Sequence, residues 1–150
     1  MQKRVNHMKE VSAGGVVYRR QPSHVEILMI EDRYMKVSLP KGKQESGETI
    51  EQTALREVKE ETGIEGVIRE PLEIIYYQYY HPQLGQIDKE VHYYLVEATG
   101  GIPVPQIEEI NKVQWMEPAK AWKMQKENGY ENNDSVIAKA FDILDLPKEG

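Results

Sequence analysis

The chain has no cysteine among its 150 residues. A disulfide framework, a thiolate zinc site and a cysteine nucleophile are therefore excluded. No run approaches the ~20 apolar residues that a membrane-spanning helix needs. The opening MQKRVNHMKE is basic but has no apolar stretch behind it, so it does not read as a secretory signal, and a cytoplasmic location is expected. Positive charge is in deficit, with 19 Lys and Arg against 25 Asp and Glu and a formal net charge of -6. That balance disfavours broad binding to nucleic acid or anionic membrane. It still admits an anionic small molecule, because bound metal ions reverse a local field. No histidine pair or His/Glu helical motif suggests zinc. There is no internal repeat, low-complexity tract or linker, so one domain over residues 1–150 is expected, large enough to bury a core.

What is present is concentrated between Gly42 and Ile64, GKQESGETIEQTALREVKEETGI. Thr49 is placed to cap a helix, with Gln52 three residues later closing a capping box. Gly63 is a natural residue to end it. Glu57, Glu60 and Glu61 fall at spacings of three and four, on one helical face. Ile50, Ala54, Leu55 and Val58 form an adjoining apolar stripe. Neighbouring like charges repel, so a solvated acidic face competes with a metal site. Lys41, Gly42 and Lys43 lie just before the helix and bring cations and close backbone to the acids. Carboxylate oxygens suit Mg²⁺ or Mn²⁺, which are commonly held by a few carboxylates together with substrate phosphates.

These residues resemble the signature of the Nudix hydrolases, G-x5-E-x7-R-E-U-x-E-E-x-G-U, where U is a bulky aliphatic residue. Gly42, Glu48, Arg56, Glu57, Val58, Glu60, Glu61, Gly63 and Ile64 fill every fixed position. The resemblance implies an α/β/α sandwich around a central mixed sheet, with the signature as a loop–helix–loop. It also implies hydrolysis of a phosphoanhydride in a nucleoside diphosphate-linked substrate, with Mg²⁺ as cofactor and Mn²⁺ as a substitute. Glu57, Glu60 and Glu61 are then the leading metal ligands and Gly42 a backbone-oxygen ligand, while Glu48 is either a ligand or an outer support. Arg56, four residues before Glu60, is expected to pair with the carboxylates and orient them. A general base is expected in the loop before a late tryptophan-containing strand, at Glu109 in preference to Glu108. A signature glutamate such as Glu60 is the alternative.

Taken in order, Val11 to Arg20 and Val25 to Ile30 read as a strand pair, the second apolar enough to be buried on both faces. After the helix, strand character is expected weakly at Gly66 to Arg69, then at Glu73 to Tyr80 and Glu90 to Glu97, with loops over His81 to Asp88 and Ala98 to Gln106. Lys112 to Met116 reads as a short strand. Pro118 to Glu127 reads as a helix with proline in its tolerated first turn. Asn133 or Asp134 is expected to cap a last helix, in which Ile137, Ala140, Phe141 and Leu144 recur at helical spacing.

Candidate phosphate contacts are Lys41 and Lys43, joined by Lys89 and His92, although each alone also reads as a solvated residue. Tyr80 is the candidate for stacking on a base. Family members that act on diadenosine polyphosphates tend to carry a tyrosine beyond the signature, whereas many ADP-ribose hydrolases carry a proline. Here the run is Tyr79, Tyr80, His81, Pro82. LPKGK, KEVHYYLVEATGG and the QWM strand look most like the diadenosine polyphosphate branch and its diphosphoinositol relatives. A small nucleotide is thus the expected partner. ADP-ribose, an oxidised nucleoside triphosphate, an RNA 5′ end or a non-catalytic nucleotide sensor are the alternatives, and oligomeric state is open.

Overall fold

The computed structural model describes residues 8–105 and 108–148, so the start of the MQKRVNHMKE segment and Gln106 of the expected loop lie outside the described residues. Eleven elements follow one another: β1 (Met8–Arg20), β2 (Val25–Asp32), β3 (Val37–Ser38), β4 (Lys41–Lys43), α1 (Ile50–Thr62), β5 (Ile64–His81), β6 (Gly85–Gly101), β7 (Ile110–Met116), α2 (Pro118–Asn128), a 3-10 turn (Glu131–Asn133) and α3 (Asp134–Ile143). Seven strands form one sheet of order β3-β2-β1-β6-β5, with β4 beside β1 and β7 beside β2. β1 runs parallel to β6 and every other pair is antiparallel, so the sheet is mixed.

Helices cover both faces. On one, Ala54 and Val58 of α1 pack on Ala13, Val17, Leu28, Tyr94 and Val96. On the other, Ala121 of α2 and Val136, Ile137, Ala140 and Phe141 of α3 pack on Val16, Tyr18, Ile27, Met29 and Leu95. β2 feeds Ile27 and Met29 to one core and Leu28 to the other, as its continuous apolar run requires.

Several expectations change. Residues 64 to 81 form one strand, and the loop expected from His81 to Asp88 shrinks to residues 82–84. β5 is the sheet's edge, where Pro71 costs no ladder bond on its open side, and irregularities at Glu65/Gly66, Ile68/Glu70 and Pro71/Glu73 absorb the misfit. β6 likewise runs on to Gly101, consuming the start of the expected 98–106 loop. Asn133 precedes α3 but makes no side-chain cap, because it is already wound into the 3-10 turn, with φ -89° and ψ -9°.

One feature of the sheet creates the site. β1 pairs with β2 only from Val17 to Arg20, and with β4 from Ser12 to Gly14. The strands part at Gly14 and Gly15, and Pro40 to Lys43 fills the opening. A Cβ on Gly14 would stand 2.0 Å from the Pro40 carbonyl oxygen, so only glycine admits this approach.

Candidate active site

α1 forms as its sequence dictates. Thr49 Oγ1 accepts from the Gln52 N–H at 3.1 Å, Gln52 Oε1 accepts from the Thr49 N–H at 2.9 Å, and the Gly63 N–H closes the last turn on the Lys59 carbonyl. With its apolar stripe on the sheet, α1 turns Glu57 and Glu61 toward the Pro40–Lys43 segment. The Glu57 side chain is 13% exposed and that of Glu60 52%, so the three acids share a face but not an environment.

Arg56 organises the outer acids. Its Nε and Nη2 donate to the two Glu48 oxygens at 2.5 and 2.9 Å, and its Nη1 donates to Glu57 at 2.8 Å and Glu60 at 3.1 Å. Nη2 also reaches the Lys43 carbonyl at 2.9 Å, tying the preceding loop to the helix. The guanidinium holds the Glu48 carboxyl down at about 2, helped by the Glu45 N–H. Glu48 thus serves Arg56, and the expected Arg56–Glu60 pair is one of several contacts.

Glu57 and Glu61 behave differently. Burial pushes the Glu57 carboxyl up, with Arg56 opposing. Burial, then the Glu57 charge, pushes Glu61 up to about 8, against the pull of Lys41. Glu109 adds to that upward push, which brings it into the electrostatic neighbourhood of Glu61. The Lys41 N–H meets Glu61 Oε1 at 3.4 Å, a long contact. A Cβ on Gly42 would lie 2.2 Å from the Glu57 carboxyl, so the missing side chain is the space into which that carboxylate fits.

Among the described residues no three His, Asp or Glu side chains are gathered closely enough to hold a metal ion, because Glu57 and Glu60 turn to Arg56 and Glu61 to Lys41. The donor set nevertheless fits a hard cation. The buried carboxylate of Glu61 and the half-buried one of Glu57, one turn apart and each disfavoured as an anion, border a glycine backbone and would gain most from a nearby positive ion.

The lysines divide. Lys41 is half-buried, and desolvation, then the Lys89 charge, lowers its pKa. Its side chain lines a cavity of about 250 Å³ together with Asp32, Ile75, Tyr77, Tyr93 and Tyr130, and Asn132 and Asn133 border the same space. Lys43 and Lys89 instead pair with Glu10, at 2.8 and 2.5 Å, and Tyr79 Oη adds a bond at 3.1 Å. Burial alone would raise the Glu10 carboxyl; the two lysines outweigh it and hold it at about 2.

His92 and Tyr80 stand apart from this group. Val91 and Tyr93 face the α2/α3 core, so His92 between them faces the other side, where it meets Glu90 at 2.6 Å. Tyr80 lies three residues from Tyr77 in a regular stretch of β5, on the opposite face, and is 72% exposed. Of the tyrosines of β5, the one that lines the cavity is Tyr77.

Sequence reading missed the cavity-lining Asp32, Tyr130, Asn132 and Asn133, and Glu10 as the lysine counter-charge. Asp32 and Tyr130 are 98 residues apart, so no local spacing links them. Their hydrogen bond is 2.5 Å and, with burial, pushes the Tyr130 hydroxyl up to about 12.

Comparison with known proteins bears on the family and the fold. The chain is 38% identical over 120 residues to the MutT4 protein of Mycobacterium tuberculosis, covering 75% of this chain and 48% of that protein. It is 35% identical over 115 residues to an 8-oxo-(d)GTP phosphatase of Mycolicibacterium smegmatis, covering 70% of this chain and 34% of that protein. The chain therefore spans half or less of the length of these curated relatives. Among solved structures, an Ap4A hydrolase of Caenorhabditis elegans in a binary complex superposes with a TM-score of 0.70 at 26% identity, over 91% of this chain and 98% of that one. The NUDIX domain of Shewanella oneidensis NrtR, complexed with ADP ribose, gives a TM-score of 0.70 at 18% identity over 89% of this chain and 87% of that one, a likeness of fold alone. The family model described as the NUDIX domain matches residues 8–140. The chain belongs to the NUDIX family, a family of hydrolases acting on phosphoanhydride bonds.

Proposed function

We infer that this chain is a Mg²⁺-dependent pyrophosphohydrolase of nucleoside polyphosphates, with diadenosine polyphosphates as its leading substrates. The observation that carries the reading is Lys41. Its backbone meets the Glu61 carboxylate while its side chain lines the aromatic cavity, so one residue belongs to both halves of a site. A phosphate held there would have carboxylates on one side and room for a nucleoside on the other.

Each group has a part in that scheme. Glu57 and Glu61, with the Gly42 backbone and Glu60 from the rim, would hold the ion. When bound, Mg²⁺ supplies charge neutralisation at the phosphate oxygens and Lewis acidity. Arg56 keeps Glu48, Glu57 and Glu60 in a fixed fan. Water adds to phosphorus, a bridging P–O bond breaks, and the Glu109 carboxylate accepts the proton. Tyr77 offers a wall for a base, where stacking contributes roughly 1–3 kcal/mol. The amides of Asn132 and Asn133 carry both donors and acceptors for its edge.

Diadenosine polyphosphate is favoured by the C. elegans Ap4A hydrolase likeness over nearly the whole of both chains. A second reading, hydrolysis of an oxidised nucleoside triphosphate, is favoured by the 35% identity to the M. smegmatis phosphatase. Turnover of diadenosine tetraphosphate, 8-oxo-dGTP, ADP-ribose and triphosphorylated RNA with Mg²⁺, with Mn²⁺ and with chelator separates them. The expected result is fastest turnover of diadenosine tetraphosphate, lost with chelator. Preference for 8-oxo-dGTP moves the assignment to the second reading. No metal-dependent turnover of any of the four sinks both.

A further inference from the structure

The turn that follows β2 supports both sides of the site. Asp32 Oδ1 accepts from the backbone N–H groups of Tyr34 at 2.9 Å and Lys36 at 3.1 Å. Its Oδ2 accepts from the Tyr130 hydroxyl at 2.5 Å. The Asn128 side chain donates to the Met35 carbonyl at 2.6 Å, so the wall carrying Tyr130 rests on this turn at two points. On the other flank, the Arg33 N–H donates to the Glu109 carbonyl at 2.8 Å, and the Asn111 side chain donates to the Asp32 carbonyl at 2.8 Å. Met35 takes a φ of 65°, uncommon away from glycine, and the bonds accepted by Asp32 close the turn around it.

We propose that Asp32 is a positioning residue that, through this one turn, fixes the segment carrying Glu109 on one flank and sets Tyr130 against the nucleoside cavity on the other. The Glu109 half rests on the reading of Glu109 as proton acceptor. A turn that served only the fold would lower every property of the protein together. A positioning turn acts on turnover through Glu109 and on binding through Tyr130, and the two can be separated.

The test is a double-mutant cycle with diadenosine tetraphosphate and Mg²⁺, joined to calorimetric binding of ADP in chelator, which needs no turnover. Glu109→Gln alone reads the proton-acceptor assignment. It should lower kcat at least a hundredfold, and an unchanged kcat overturns that assignment and the Glu109 half of the proposal with it. Asp32→Ala should lower kcat about tenfold in the native background and cause no further loss beside Glu109→Gln. It should also weaken ADP binding severalfold. Asp32→Asn, which keeps an acceptor at Oδ1 and a polar partner for Tyr130, should restore most of both. Tyr130→Phe should weaken ADP binding and raise KM more than it lowers kcat. Equal losses from Asp32→Ala in both backgrounds, or ADP binding indifferent to Asp32→Ala and Tyr130→Phe, overturn the proposal. Should Asp32→Ala fail to fold, Asn111→Ala completes the kcat cycle under the same criterion, and Tyr130→Phe carries the binding arm.

Discussion

Two ion-pair clusters border the loop that enters the signature helix, and they are built on opposite plans. At Arg56 one guanidinium fans across Glu48, Glu57 and Glu60, with the fork geometry that only arginine offers. At Glu10 one carboxylate gathers the Lys43 and Lys89 ammonium groups and the Tyr79 hydroxyl. Glu48 in the first cluster and Glu10 in the second are both held at about 2. Between the clusters lie Glu61 and Lys41, which shift the other way, the acid up and the lysine down. An ion pair favours both charged forms; here burial outweighs the attraction between the two charges, and the 3.4 Å hydrogen bond that Glu61 accepts comes from the Lys41 backbone N–H and not from its ammonium group. The contrast locates the electrostatic need of the site at Glu57 and Glu61, where existing cations do not offset the loss of water.

The sharpest way to break that comparison is to remove the acids one at a time. Glu57→Gln should lower kcat more than a hundredfold while thermal stability holds or rises slightly, because Glu61 loses a like-charged neighbour. Turnover within fivefold of native would show that the carboxylates on this face are surface charge. Arg56→Lys keeps the positive charge but loses the fork, so turnover should fall roughly 10–100-fold, as for other residues that orient metal ligands. Equal activity would make the fan dispensable.

Glu10→Gln tests the second cluster, where stability is expected to change in place of chemistry. Lys89 has a side chain only 7% exposed and would be left without its counter-charge. Breaking a fully buried pair costs about 3–5 kcal/mol and an exposed one about 0–1, so for a partly open carboxylate about 2 kcal/mol is expected. The sign with pH follows from the depressed carboxyl. As pH falls below its usual 4.5, the unfolded chain takes up the proton first, and the folded chain only near about 2. The unfolded state therefore binds more protons across that window, and the contribution of Glu10, full above about 4.5, fades as pH falls through it. Urea unfolding of Glu10→Gln should be flatter than native between those values; an unaltered pH slope would remove the cluster from the account. Gly42→Ala should weaken apparent Mg²⁺ affinity about tenfold, since a Cβ 2.2 Å from the Glu57 carboxyl displaces a flexible side-chain end and not the backbone. Native metal titration would show that the Glu57 position does not depend on the glycine.

These clusters also mark how far the sequence could be read. α1 was legible to its caps because every determinant is local: Thr49 with Gln52, Gly63, and an apolar stripe at helical spacing. The fan at Arg56 was partly legible, since Glu60 is four residues away, whereas Glu48 enters from outside the helix. Glu10 was invisible because it meets Lys43 and Lys89 through two different strand partners of β1, and strand pairing is not written in any one segment. The same holds for Tyr130 and Asp32. β5 was broken in two by a proline that an edge strand tolerates, which hid the length of the β5–β6 hairpin.

The smallest predicted effect separates two tyrosines. Tyr77 and Tyr80 are equally aromatic, and composition gives no reason to prefer one. Strand geometry does: Ile75 and Tyr77 share the cavity face, and Tyr80 shares the other with Ile74 and Tyr76. Replacing Tyr77 by alanine should raise KM for diadenosine tetraphosphate about tenfold, the loss of one stacking wall near the low end of its usual worth. Replacing Tyr80 should change KM less than twofold, because its ring is 72% exposed and does not line the cavity. Should Tyr80→Ala instead carry the larger effect, the nucleoside would bind on the α1 face of the hairpin. Lys41 would then no longer join the two halves of the site, and the choice of cavity would fall with it.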